Sequence, residues 1–344
     1  MMKLALCLEQ TLGHRAHTRN LEQATCGMDG ADVVRVEYRE RGRLPLPWTV
    51  RGSADACRVL RQRPPADITF FHTQSIGLFA GLATRGRKYA ISIDATPVQM
   101  DAMGKSYSHQ RQAAIVEAAK RSLYRRVLQQ ASLVVAWSAW ARESLICDYG
   151  VSANHIEVIH PGASPAFFQI SRSIPARRPT ILFVGGDFER KGGPLLLEAW
   201  AALRDRADLV LVTSAQVDSA PGIRVVRDAT PGSKALIDAY ANADIFCLPT
   251  LGDCTSVAVE EAMAAGLPVV TTDVGSNRST VSDGGSGLIV PPGSLEELGS
   301  ALTELLDDPT LRRRMGGAAR DAAGRDMNAE TNAGRLLRLL ESVA

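Results

Sequence analysis

The feature that most restricts this sequence's fold is an alternation of short apolar, β-branched runs with helix-length runs, interrupted once and then begun again. Residues 3–9, 32–38, 67–72, 88–94 and 132–137 have strand character, and 155–159 adds a further short strand. Helical stretches at 21–28, 54–63, 112–130 and 139–149 lie between them. Strands separated by helices must be joined by crossovers, which gives a parallel sheet with helices on both faces. A Pro-, Ser- and Arg-rich segment at 160–179 has the composition of a linker. The pattern then restarts, with strands at 180–184, 209–213, 223–226, 244–248, 268–272 and 288–290 and helices including 193–204, 234–241 and 257–265. The expected architecture is two doubly wound, Rossmann-like α/β domains in tandem, at 1–172 and 173–325. A closing helix at 326–344 is expected to pack back on the first domain. Such pairs take ligands in the cleft between the carboxyl ends of their strands.

The length of 344 residues suits two domains. With 45% hydrophobic and 22% charged residues the chain has the apolar content to offset its ordering entropy, which excludes a largely disordered protein. No stretch approaches 18 uninterrupted apolar residues, so no transmembrane helix is expected. The apolar run before Glu9 is too short for a signal peptide, and a cytoplasmic protein is expected. Six cysteines without a C-x-x-C pair read as reduced thiols rather than as a metal site or a disulfide framework. No paired-His spacing and no Asp-x-Asp points to a metal.

Charge is unevenly divided. Residues 1–172 carry 22 Lys and Arg against 14 Asp and Glu, a net +8, whereas residues 173–344 carry 17 against 23, a net −6. A basic first half points to an anionic partner or a membrane surface on that side. The excess is too weak and too scattered for a nucleic-acid protein. Within it, Arg111, Lys120, Arg121, Arg125 and Arg126 alternate with Ala114, Ile115, Ala118, Leu123 and Val127. This is a basic amphipathic helix, which suits either an anionic lipid surface or a packed helix with one solvated face.

Two segments of the second half carry chemistry. From Ile181 to Pro194 an apolar strand runs through Gly185-Gly186 to Arg190-Lys191 and into a helix with Pro194 in its first turn. Glycines admit a ligand close to the backbone, and two adjacent cations can neutralise a diphosphate; taken alone, the same residues also fit a surface turn with solvated charges. Neither a Walker A loop nor G-x-G-x-x-G is present. From Pro249 to Val270 a strand end leads through Asp253 to a helix entered near Ser256. The Ser256 and Val257 amides at that helix start suit a phosphate. Asp253 and Glu261 lie eight apart, a pair of carboxylates suited to sugar hydroxyls. Glu260 reads as a solvated helix-face residue.

The block from Asp253 to Val270, with an acidic residue eight before the Glu of Glu261-Ala262-Met263-Ala264-Ala265-Gly266, resembles the retaining glycosyltransferases of family 4, which have the GT-B fold. Gly287-Leu288-Ile289-Val290-Pro291-Pro292-Gly293, Val134-Val135-Ala136-Trp137-Ser138 and His160-Pro161-Gly162 are similar to that family as well. The resemblance implies that the first domain binds the acceptor and the second the nucleotide-sugar donor. It assigns the ribose hydroxyls to Glu261, and it places Asp253 where the family usually has a Glu on the donor sugar. Arg190 and Lys191 would hold the diphosphate, Gly185 and Gly186 would admit it, and the Ser256 and Val257 amides would cap it. Val226 and Arg227 would border the base.

Two departures stand out: Asp253 is a methylene shorter than the usual Glu, and Thr255-Ser256 replaces the commoner Phe-Gly. In the first domain, Asp94 falls where the family often has a His near the reaction centre. Gly13 would face the donor phosphates, and His14 and His109 are acceptor-side candidates. The implied function is metal-independent, retaining sugar transfer from a nucleotide-diphosphate sugar such as a UDP- or GDP-sugar. The acceptor would be a glycan, lipid-linked or small-molecule hydroxyl, with no bound cofactor. A nucleotide-sugar epimerase of the same fold and a degenerate nucleotide-sugar-binding subunit are the alternatives.

Overall fold

The computed structural model describes residues 2–10, 14–37, 46–104, 106, 114–171, 177–218 and 220–344. The chain divides into two compact units: unit 1 is 1–160 with 330–344, and unit 2 is 161–329.

Unit 1 runs β1 (Leu4–Gln10), α1 (Arg15–Thr25), β2 (Ala31–Glu37), α2 (Trp48–Arg61), β3 (Ile68–Phe71), α3 (Gln74–Gly77), α4 (Ala80–Ala83), β4 (Lys88–Ile93), α5 (Pro97–Ala102), α6 (Ala114–Gln130), β5 (Leu133–Ala136), α7 (Ala139–Cys147) and β6 (Ile156–Val158). Its six strands are all parallel, in the order β2-β1-β3-β4-β5-β6. The inner strands β1, β3, β4 and β5 are buried on both faces, as a sheet covered by helices on each side requires, whereas the edge strand β2 exposes Arg35 and Glu37.

Unit 2 runs α8 (Pro165–Phe168), β7 (Thr180–Val184), α9 (Gly193–Ala201), β8 (Asp208–Val212), β9 (Ile223–Val226), α10 (Lys234–Ala241), β10 (Ile245–Leu248), α11 (Val257–Ala264), β11 (Val269–Thr272), α12 (Asn277–Thr280), β12 (Gly287–Val290), α13 (Leu295–Asp307) and α14 (Pro309–Asp326). Its parallel sheet has the order β9-β8-β7-β10-β11-β12, the order of a dinucleotide-binding Rossmann sheet. Strand order reverses between β7 and β10, and the loops that leave those two strands are the ones that carry Arg190, Lys191 and Asp253.

The units divide at His160 and Pro161, ahead of the 172/173 boundary read from composition. The reason is α8: Phe167 is fully buried in the unit 2 core, and Arg320 of α14 donates to the Phe168 and Ile170 carbonyls at 2.6 Å. The last helix, α15 (Ala329–Val343), returns to unit 1, where Ala333, Leu336 and Leu340 pack with Leu4, Leu6, Phe70 and Val135. No helix among the described residues is long and apolar enough to cross a membrane.

Candidate functional site

In unit 2 the β7–α9 loop and the β10–α11 loop are bound to each other. The Arg190 guanidinium donates to its own loop through Asp187 Oδ2 (2.9 Å) and across to the Gly252 carbonyl, while the Leu251 amide donates back to the Arg190 carbonyl at 2.8 Å. One residue on, Lys191 Nζ donates to Asp253 Oδ2. The same oxygen accepts from Ser256 Oγ. The Lys191 and Asp253 side chains are only 17% and 10% exposed, so their attraction is weakly screened.

Asp253 is held from behind by the loop after β11. Gly275 has φ of +58°, and a Cβ there would lie 1.9 Å from the Asp253 carbonyl oxygen. Any side chain at that position would push the Asp253 backbone away. The Ser276 amide donates to the Cys254 carbonyl at 3.0 Å, fixing the same strip. The buried hydroxyls of Thr255 and Ser276, in this strip, have no hydrogen-bond partner.

Ser256 is the N-cap residue of α11, yet its hydroxyl goes to Asp253 and α11 has no side-chain cap. The amides at the start of the helix, those of Ser256 and Val257, thus receive no side-chain cap. Gly185 lies against the Lys191 side chain, where an added Cβ would come within 3.1 Å of its Cγ, and nothing lies within 4 Å of a Cβ built on Gly186.

Glu261, on α11, is buried, and its Oε2 accepts from the Tyr240 hydroxyl at 2.9 Å. Burial pushes its carboxyl up to about 7; the Tyr240 hydroxyl partly counters this, and the neighbouring Glu260 adds to it. Glu260 is fully buried, and its Oε2 accepts from the Gly162 amide at 2.8 Å. The expectation of a solvated helix face there is corrected. Residues 259–264 of α11 are buried all the way round, so no face of this stretch is left for solvent. Val226 ends β9, and Arg227 Nη2 donates to the Val217 carbonyl at 3.0 Å. Val217 lines a cavity of about 580 Å³ with Gly186, Phe188, Pro194, Leu197 and Ile223, beside the β7–α9 loop.

In unit 1 the strand order reverses at β1, between β2 and β3, and polar residues gather at the carboxyl ends there. His14 Nε2 lies 3.3 Å from Asp94 Oδ2, and both side chains are 17% exposed. Asp94 follows β4; its Oδ1 accepts from the Ala95 amide at 2.7 Å. Next to it, Thr96 and Gln99 form a capping box with Pro97 that starts α5. Asp94 therefore both caps its own turn and pairs with His14.

His17 Nδ1 lies 3.0 Å from His72 Nε2, and the rings of His14, His17 and His72 all pack on Trp137. Burial disfavours a charged His14, but the hydrogen bond and charge of Asp94, with Glu9 behind, raise it above its ordinary value. Burial likewise opposes the charged form of Asp94, and hydrogen bonds from His14, the Ala95 amide and Gln74 hold it below the usual carboxylate range. Burial, reinforced by charge on His14, pushes His17 down to about 3 and His72 well below its ordinary value. Of the three rings, His14 is therefore the one most disposed to carry a positive charge. Gly13 and His109 lie outside the described residues. Among the described residues no three His, Cys, Asp or Glu side chains are grouped as metal ligands.

The sequence reading missed His17, His72, Tyr240 and the buried role of Glu260. For His72 the signal was a polar residue closing the strand Ile68–Phe71, in which only Thr69 is not apolar; for Glu260 it was a charge inside a run too apolar to be a surface helix.

Two Rossmann-like units in one chain, the second with cations and carboxylates at its switch point, define a GT-B fold. Sucrose-phosphate synthase from Thermosynechococcus elongatus superposes with a TM-score of 0.80 at 19% identity, over 100% of both chains. Anabaena HepE, solved in complex with UDP and glucose, gives a TM-score of 0.71 at 16% identity, covering 99% of this chain and 100% of that one. Residues 4–167 match Glycosyltransferase Family 4 and residues 178–308 match Glycosyl transferases group 1. The chain belongs to the family 4 glycosyltransferases.

Among curated relatives, a D-inositol 3-phosphate glycosyltransferase of Corynebacterium aurimucosum is 30% identical over 234 residues, 60% of this chain and 56% of that protein. A phosphatidyl-myo-inositol mannosyltransferase of Mycobacterium leprae is 31% identical over 218 residues, 60% of this chain and 56% of that protein. The chain spans about half the length of the curated relatives it matches.

Proposed function

We propose that the chain transfers a sugar from a nucleotide-diphosphate sugar to an acceptor hydroxyl, with retention and without a metal ion. The observation that carries this is the grouping of Arg190, Lys191, Asp253, Ser256 and Glu261 at the β7/β10 switch point of unit 2. Arg190, Lys191 and the uncapped amides of α11 take the diphosphate, and Glu261 takes the ribose hydroxyls. Asp253 aligns Lys191 and borders the donor sugar, where the unpartnered Thr255 and Ser276 hydroxyls offer further hydrogen bonds. The cavity beside Gly186, with Arg227 at its rim, receives the base.

The sugar–oxygen bond breaks with its electron pair on the leaving diphosphate. The acceptor oxygen bonds the same face of the sugar, and its proton passes to a leaving phosphate oxygen. Here the protein supplies position and charge; Arg190 and Lys191 do the work that a divalent ion does elsewhere. In unit 1 the His14–Asp94 pair, partly open to solvent, serves the acceptor. The names of the relatives favour a polyol such as an inositol phosphate as that acceptor, and the UDP in the HepE complex favours UDP as the nucleotide, with GDP as the alternative. We place the protein in the cytoplasm, where such donors are used.

A contact with anionic membrane through unit 1 is supported by α6, which exposes Ile115 (80%), Val116 (49%) and Leu123 (42%) next to Arg126. Its other cations are partly engaged: Arg121 and Arg125 donate to the Asp148 carbonyl.

The test is a thermal-shift and calorimetric screen of UDP, GDP and their sugars in EDTA, followed by donor turnover with and without polyol acceptors. Acceptor-dependent turnover supports transfer. Donor isomerised without acceptor supports an epimerase, binding without turnover supports a degenerate subunit, and an absolute need for a divalent ion overturns the metal-free mechanism.

A further inference from the structure

The chain passes between unit 1 and unit 2 twice, at 160–161 and at 329–330. On the unit 2 side of these crossings the two segments are joined. The Ala163 amide donates to the Met327 carbonyl at 2.8 Å, and the Ala329 amide donates to the Ala163 carbonyl at 3.0 Å. Gly162 permits the approach: its φ is +75°, and a Cβ there would meet the Met327 oxygen and the Ala329 nitrogen at 2.8 Å.

Two side-chain routes lead from this clasp to Glu261. In the first, the Gly162 amide donates to Glu260 Oε2 at 2.8 Å, and Glu260 is the residue before Glu261 on α11. In the second, the Tyr240 hydroxyl donates to Glu261, while the Tyr240 ring packs edge-on against Phe167 of α8, with centroids 5.1 Å apart. Phe167 and Tyr240 are both fully buried, so neither can yield without disturbing the core. Both routes reach residues 162–167 from the carboxylate assigned to the donor's ribose.

We infer that Glu260 and Tyr240 are positioning residues that couple nucleotide occupancy at Glu261 to the paired crossover segments. The inference rests on the reading of Glu261 as a ribose ligand. A ligand that draws on Glu261 fixes the rotation of α11, and with it the carboxylate of Glu260 that holds the Gly162 amide. It also fixes the Tyr240 hydroxyl, and through the ring the seat of Phe167. Openings of the clasp then become rarer when nucleotide is bound.

Amide hydrogen exchange on the full chain, with UDP and GDP as probes and calorimetry to establish binding, tests this. At a nucleotide concentration near 100 times Kd, an opening incompatible with bound nucleotide becomes up to about 100-fold rarer. The expected result is nucleotide-dependent slowing at the Gly162, Ala163 and Ala329 amides. Tyr240→Phe keeps the ring packing and should bind nucleotide with that slowing reduced. Glu260→Gln retains an acceptor oxygen and should preserve most of it, whereas Glu260→Leu should lose it. Nucleotide that binds without changing exchange at these amides overturns the coupling, as does full slowing in both Tyr240→Phe and Glu260→Leu. Failure of either nucleotide to bind overturns the donor-site reading itself, and the coupling with it.

Discussion

Glu261→Gln should stabilise the protein and weaken its hold on nucleotide, two effects of opposite sign that a damaged fold cannot produce together. Raising a carboxyl from 4.5 to about 7 corresponds to about 3 kcal/mol at about 1.36 kcal/mol per pH unit. Below pH 4.5 the group is protonated in both folded and unfolded chains and costs nothing. Between 4.5 and 7 the folded state binds more protons than the unfolded one, so stability falls as pH rises. Above 7 the buried carboxylate is ionised and the loss is complete. Tyr240 accommodates both forms. Its hydroxyl lies 2.9 Å from Glu261 and 3.1 Å from the Ala258 carbonyl, so it donates to the carboxylate at high pH and to the carbonyl when Glu261 is protonated. Glutamine keeps the shape and an acceptor for Tyr240 but does not titrate.

The variant should therefore lie within about 1 kcal/mol of the wild type near pH 5 and exceed it near pH 8 by up to about 3 kcal/mol, or about 4 °C for a chain of 344 residues. Thermal unfolding followed by circular dichroism at pH 5, 6, 7 and 8 reads this directly. Calorimetry at pH 8 should show nucleotide bound more weakly by about 1.5–3 kcal/mol, since a charge-assisted bond to a hydroxyl is lost. A difference in melting temperature between variant and wild type that stays constant from pH 5 to 8 would refute the reasoning.

Arg190→Ala and Lys191→Ala should each lower sugar transfer by about 10²–10³ with the far-UV spectrum unchanged, because each removes a charge from the departing diphosphate; steady-state kinetics checks this. Asp94→Asn should destabilise more at pH 6 than at pH 9. His14 has a raised value, so the pair's contribution is present below the ordinary histidine range and lost as pH rises through the raised one; urea melts at the two pH values decide it. Ile115→Ser with Leu123→Ser should abolish co-sedimentation with anionic vesicles while leaving donor hydrolysis intact, and a wild type that stays in the supernatant at low salt removes the membrane contact.

Most strands are legible because a parallel sheet buried on both faces leaves continuous apolar runs: residues 180–184 match the observed β7, and 244–248 match β10 to within one residue. Helix α1 begins at Arg15 rather than near 21, because the residues its first turns bury are the polar His17 and Thr18, which leave no apolar period. Helix α2 begins at Trp48 behind Pro47, its first turn made of aromatic and β-branched residues with weak helix propensity. Arg190, Lys191, Asp253 and Glu261 are legible as a group since they sit in two loops that the alternating pattern places at strand ends. The three-histidine cluster is not, for its members come from α1 and the end of β3, and only the strand order reveals that these neighbour each other.

The two departures from the family pattern at 253 and 255–256 turn out to be one feature. The sequence shows a shorter acid and a serine where the family has a Glu and a Gly. In the structure Ser256 Oγ and Lys191 Nζ both donate to Asp253 Oδ2. A carboxylate one methylene shorter reaches less far from its backbone, and that backbone is fixed by Gly275 behind it. The serine hydroxyl supplies a second donor that holds the short acid aligned with the lysine. Asp253→Glu should then crowd a site built around the short acid, and Ser256→Gly should leave the aspartate loosely held, each lowering donor turnover. Together they recreate the family arrangement, in which the longer acid needs no serine. The double variant should therefore be better than the two single effects predict, with a coupling of about 0.5–3 kcal/mol in kcat/KM, the range for residues in direct contact. Single effects that simply add would show that Asp253 and Ser256 diverged independently, and that the shared oxygen contributes nothing to turnover.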